Sequence, residues 1–82
     1  MFYQEIIKIY QWCKEKGISC TMESLFDGYK ICFPDGADII QHQYSYRAAD
    51  GYVEPAGLEK SYEPVSMEEI KKILSKKYLT NK

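Results

Sequence analysis

The chain has 82 residues, is 45% hydrophobic and carries a formal net charge of −1. That length fits one small domain with a thin core, and that hydrophobic share excludes a disordered tract as the reading of the whole. No apolar run approaches the about 20 residues that span a bilayer, and Met1 to Tyr10, broken by Gln4, Glu5 and Lys8 with no basic stretch before it, does not read as a signal peptide. The expectation is a single cytoplasmic domain over residues 1–82 with no membrane contact.

Phe2 to Lys16 reads as a first helix. Phe2, Ile6, Ile9 and Cys13 recur at helical spacing, Tyr3, Ile7 and Tyr10 widen the stripe, and Gln4, Lys8, Gln11 and Glu15 form the polar face. Gly17 suits the left-handed position past the helix end, with Ile18 making the accompanying apolar contact. Trp12 falls at the margin of the stripe, as a lid on the core.

Ile18 to Phe26 reads as a first strand, closed by a two-residue turn at Asp27-Gly28. That turn pairs Phe26 with Tyr29, Ser24 with Ile31 and Met22 with Phe33. Ile18, Cys20, Met22, Phe26, Tyr29, Ile31 and Phe33 then share an apolar face, and Ser19, Thr21, Glu23, Leu25, Lys30 and Cys32 the other. Asp35-Gly36 closes a second hairpin. A two-residue turn there pairs Phe33 with Asp38, Ile31 with Ile40 and Tyr29 with His42. It adds Ile40, Tyr44 and Tyr46 to the core face and sends Ile39, Gln41 and Gln43 outward, whereas a longer loop shifts the pairing by one and flips the strand.

Residues 47–64 form an 18-residue connection, long for a domain of this size. Either Tyr52 to Glu54 adds a short edge strand or the segment is a functional loop. Val65 to Tyr78 or Leu79 reads as the second helix, opened by the capping box Ser66-Met67-Glu68-Glu69 with Val65 and Ile70 as its apolar staple. Met67, Ile70, Ile73, Leu74 and Tyr78 make its buried stripe. The sum is an α+β fold of order α-β-β-β-α, an antiparallel meander of three strands, or four, with both helices on one face.

No GxGxxG, Walker A, HExxH or GxSxG motif occurs. The one histidine, His42, is the residue type suited to general-base work beside Tyr29, Tyr44 or Asp38, but a strand histidine with a satisfied hydrogen bond explains it more simply. Asp35 and Asp38 read as a turn and a strand-end aspartate before they read as a catalytic pair. Cys13, Cys20 and Cys32 are an odd set without CxxC spacing, so three reduced and mostly packed thiols are expected, and one histidine with no close ligand pair argues against zinc. No catalytic residue, metal or cofactor is assigned.

Tyr44, Tyr46, Tyr52 and Tyr62 stand out, together with Arg47 and Glu54. Tyrosine and arginine are enriched in protein interfaces, and these six residues are the candidate binding set. Residues 23–63 hold a balance of −5, which opposes a phosphate backbone and suits a basic groove on a partner. Residues 64–82 hold a balance of +3, so Lys71, Lys72, Lys76 and Lys77 are the alternative contacts if the ligand is nucleic acid. A third reading is self-association through an open sheet edge.

The element order resembles the double-stranded RNA-binding fold and the related HicA-type toxins. Lys16-Gly17-Ile18 and the stretch Asp27 to Gly36 are similar to the HicA pattern. Such toxins place a histidine where this chain has Tyr29, and their basic RNA-facing surface is missing, so the resemblance implies the fold and not the nuclease activity. Asp27-Gly28, Pro34 to Asp38, Gln41-His42, Ser45-Tyr46 and Gly51 to Pro55 are similar to small accessory proteins of phages and prophages in Gram-positive bacteria. This second resemblance covers about residues 27–57. It implies a bacterial protein of a mobile element whose partner is an unidentified host or phage protein.

Overall fold

A computed structural model describes residues 3–79. The order is helix α1 (Gln4–Lys16), strands β1 (Thr21–Leu25), β2 (Gly28–Cys32) and β3 (Asp38–Gln41), a 3-10 turn (Ala48–Asp50), strand β4 (Glu54–Ala56), helix α2 (Met67–Leu74) and a π turn (Ser75–Leu79). The strands form one antiparallel sheet in the order β1-β2-β3-β4. The fold is α+β, with the fourth strand present, and the helices and sheet share one core. Ile6 and Ile9 of α1, Ile31 of β2, Ile39 of β3 and Ile70 and Leu74 of α2 are all fully buried in it. Removing each such side chain from water contributes about 1.5–3 kcal/mol.

The helix limits follow from their end groups. At the end of α1, Gly17 takes φ +78°, its N–H donates to Lys14 O, and the Ile18 N–H donates to Cys13 O at 2.9 Å. This paired stop buries Ile18. Phe2, expected inside the first helix, lies outside the described residues. In α2, Ser66 Oγ accepts from the Glu69 N–H at 3.1 Å as expected of a cap. The Glu69 carboxylate, expected to return the bond to the backbone, meets Lys60 Nζ at 3.0 Å.

Both hairpins differ in register from the sequence reading. In the first, Leu25 pairs with Gly28, Ser24 with Tyr29 and Met22 with Ile31. The turn residues are Phe26-Asp27, not Asp27-Gly28. Gly28 opens β2 because a Cβ there would lie 2.0 Å from the Gln41 carbonyl oxygen of β3. Its role is close approach of two backbones. A shift of two residues keeps the faces of β1 and β2, but it removes Phe26 from the core face: this ring is 67% exposed.

The second turn holds three residues, Pro34-Asp35-Gly36. Gly36 at φ +95° lets its N–H donate to Phe33 O, and the Phe33 N–H donates to Ala37 O. Ile31 therefore pairs with Ile39, and Tyr29 with Gln41. This one-residue shift flips β3. Ile39 and Gln41 are buried, while Ile40, expected in the core, is only half-buried. The strand also ends at Gln41, so Tyr44 and Tyr46, expected on the core face, are exposed.

Residues 47–64 are structured. β4 lies two residues beyond the expected Tyr52 to Glu54 strand and pairs with β3, and Val53 bridges to Val65 just ahead of α2. Pro55 has no N–H to offer on this edge, and its carbonyl accepts from the Tyr62 N–H at 2.7 Å.

Candidate interaction surface

The tip of the first hairpin and the turn after β3 meet at one end of the sheet. Phe26 at the tip has φ +55°, a left-handed conformation that a bulky side chain rarely adopts. Its ring stands edge-on to His42 and to Tyr44, each with centroids 4.9 Å away. His42 and Tyr44 are in turn 6.1 Å apart. Tyr44 is 70% exposed and Phe26 nearly as open, while His42 is buried beneath them. Two large rings thus face solvent on a buried support.

Hydrogen bonds fix this platform from below. Asp27 Oδ2 accepts from the Tyr3 hydroxyl and Asp27 Oδ1 from the Gln43 N–H, each at 2.7 Å. Burial works against the Asp27 carboxylate, but the Tyr3 and Gln43 donors outweigh it and hold the group below its ordinary value. The same bond raises the Tyr3 hydroxyl. Within the turn, His42 Nδ1 accepts from the Tyr44 N–H, and Ser45 Oγ both accepts from the His42 N–H and donates to the His42 carbonyl, each at 3.0 Å. His42 is therefore a positioning residue of the turn. Its Nδ1 is taken by a backbone donor, which leaves it no lone pair for a general base.

A cleft of about 300 Å³ opens beside the platform, lined among others by Asp27, Gln43, Ser45 and Arg47. Arg47, at φ +59°, lays its guanidinium 4.2 Å from the Tyr52 ring centroid and brings Nε to 3.4 Å from Asp50. Of the six residues singled out by composition, the structure stacks Arg47 on Tyr52 and places Tyr44 on the platform. Tyr46 is exposed in the same turn region. Glu54 is half-buried in β4 opposite Ile40. Tyr62, 76% exposed at φ +67°, stands beside β4 and is not part of the platform. Phe26 and Asp27 are the members that composition did not single out. The signal available was an aromatic residue immediately before an Asp-Gly pair.

The four lysines divide. Lys77 Nζ lies 3.4 Å from Asp35 and donates to the Gly57 carbonyl, and Lys76 Nζ is 3.2 Å from Glu59. Lys71 sits 5.9 Å from the Trp12 centroid, over a ring packed against the core. Lys72 is exposed. Tyr29 also packs against the core. Among the described residues, no cluster of three or more His, Cys, Asp or Glu side chains is placed to hold a metal ion, and no helix is long and apolar enough to cross a membrane. No family model, curated protein or solved structure matches this chain.

Proposed function

We propose that this chain is a small non-enzymatic binding domain that acts by protein–protein interaction, and that Phe26 and Tyr44 are the anchors of its contact surface. The observation that carries this reading is Phe26 itself. A phenylalanine 67% exposed and held at positive φ costs stability twice, in hydration and in backbone strain. The tip is nevertheless clamped in that conformation by Tyr3, Asp27 and Gln43. Rigid aromatic side chains on a pre-organised support bind with little ordering cost. Arg47, stacked on Tyr52, borders the same cleft and supplies a charged contact at its rim.

The resemblance over about residues 27–57 supports placing the domain among accessory proteins of phages and other mobile elements in Gram-positive bacteria. The partner is then a host or phage protein. Affinity capture of the tagged chain from a Gram-positive lysate, with and without nuclease, tests this. One dominant protein that survives nuclease and is lost with Tyr44→Ala supports the reading. Loss of all captured material on nuclease treatment overturns it in favour of nucleic acid and the α2 lysines, and recovery of the chain alone as an oligomer overturns it in favour of self-association.

A further inference from the structure

β1 and β4 are the two edge strands of the sheet, and they differ in what covers them. At β4, Pro55 carries no N–H, its carbonyl accepts from the Tyr62 N–H, and Val53 just ahead of the strand is bridged to Val65. β1 pairs with β2 on one side. The two-residue turn makes Leu25 and Gly28 a hydrogen-bonded pair. The alternation of an antiparallel ladder then turns the N–H and C=O of Thr21 and Glu23 toward β2, and those of Met22 and Ser24 outward. Cys20 continues the outward series, and there Lys14 Nζ donates to the carbonyl at 2.9 Å. Among the described residues, no hydrogen bond from another segment reaches the outward groups of Met22 or Ser24. Thr21, Glu23 and Ser24 are exposed, and Met22 and Leu25 are half-buried. The strand also lacks the usual devices that blunt an edge: Thr21–Leu25 holds no proline and no lysine, and its register runs without a bulge.

We propose that the outward edge of β1 takes an extended segment of the protein partner as an added strand, one with alternating apolar and basic side chains. This rests on the protein-binding reading of the platform and names a second contact for the same partner. The open edge runs from the Lys14 bond at Cys20 to Leu25, which precedes Phe26, so a segment seated on it leads to the platform. In an antiparallel guest, the residues opposite Met22 and Ser24 each exchange a pair of N–H···O bonds with β1, and these main-chain bonds supply the affinity. The guest residue between them lies opposite Glu23, at the closer, non-bonded position where side chains meet. Glu23 has Lys30 across the ladder on its other side, and its carboxylate accepts from Cys32 Sγ at 3.6 Å. Exposed at the edge, it favours lysine or arginine on the guest. Met22, packed against the core, offers the guest an apolar neighbour on the other face. A second copy of the chain is the poorer occupant. The antiparallel register that pairs the whole of β1 with itself sets Glu23 opposite Glu23, and like charges there are destabilising.

The test adds to the full chain a blocked hexapeptide of alternating valine and lysine and follows backbone amide exchange by NMR. The expected result is slower exchange at Met22 and Ser24, by about tenfold at about ten times the Kd of the peptide. The same peptide with glutamate in place of lysine is expected to give no protection. Ser24→Pro removes one outward N–H and leaves the β2 ladder intact, since proline is tolerated where an edge N–H faces solvent. Its thermal midpoint is expected to stay near that of the parent chain while protection at Met22 is lost. Unchanged exchange at Met22 and Ser24 with the lysine peptide overturns the proposal, and so does equal protection by the glutamate peptide or in Ser24→Pro. Protection that rises with protein concentration alone also overturns it, in favour of a second copy. Tyr44→Ala is expected to keep the protection at Met22, so failure at the edge leaves the platform to its own capture experiment.

Discussion

Phe26 combines a left-handed backbone with an exposed ring, and the two features oppose each other in a testable way. Asparagine tolerates that conformation better than phenylalanine does. Phe26→Asn relieves strain while losing the edge contacts to His42 and Tyr44, each aromatic pair being worth about 0.5–1.5 kcal/mol. The net change in stability is expected to stay within about 1 kcal/mol. Urea denaturation checks this, and a loss of several kcal/mol would mean that the ring is structural. Asp27 gives a second handle. Its carboxyl is held below the ordinary value in the folded chain. Its contribution is therefore present above the unfolded aspartate value of about 3.9 and is lost as pH falls through the folded value. Asp27→Asn should flatten the decline of thermal midpoint in that acid range; an unchanged decline would mean that the Tyr3 and Gln43 bonds carry no pH dependence.

At the scale of elements, β3 decides the architecture. Its one-residue shift buries Gln41, whose Oε1 accepts from the Ile6 N–H at 3.0 Å while Nε2 donates to Glu5 and to the Ala48 carbonyl. Tyr3, at the N-cap of α1, makes no side-chain cap. Gln41 supplies that missing acceptor from another element. Gln41→Leu leaves the buried Ile6 amide without its acceptor, while the Ala48 carbonyl still accepts from the Gly51 N–H, and should cost about 1–3 kcal/mol, read as a lower denaturant midpoint with an unchanged slope. A cost below about 0.5 kcal/mol would refute the tertiary cap. Gly28→Ala places a methyl against the Gln41 carbonyl and should cost about 2 kcal/mol or more. A normal midpoint would contradict the close approach. These same residues mark where sequence reasoning stops. Helical spacing, the Gly17 stop and the Ser66 cap are local signals, so both helices were legible. An Asp-Gly pair marks a turn but not which two residues occupy it. Nothing in Ile39-Ile40-Gln41 says which isoleucine faces inward, because the answer depends on the length of the preceding loop. The buried glutamine and the platform both depend on that long-range outcome, and composition pointed only to Tyr44 of its two anchors.

Over the whole molecule, the two ends of the sheet are tied differently. At the end opposite the platform, Tyr78 stacks on Phe33 with centroids 5.1 Å apart and donates to Asp35, which also accepts from the Ala37 N–H and pairs with Lys77. The Ala37 amide, then Tyr78 and Lys77, keep Asp35 below its usual value, and burial with the Asp35 bond lifts Tyr78. The Asp35 contribution is lost in acid. The Tyr78 contribution is present below the ordinary tyrosine value of about 10 and is lost as pH rises above it. This end locks the second hairpin to the residues following α2. The platform end instead carries Phe26 and Tyr44 into solvent. Under the proposed function, packing belongs to one end and recognition to the other. The direct measurement is capture of the nuclease-resistant partner by Phe26→Asn with Tyr44→Ala, run beside the thermal midpoint of the same double variant. Capture lost with the midpoint retained is the predicted result; capture retained at wild-type level in a folded variant would contradict the assignment.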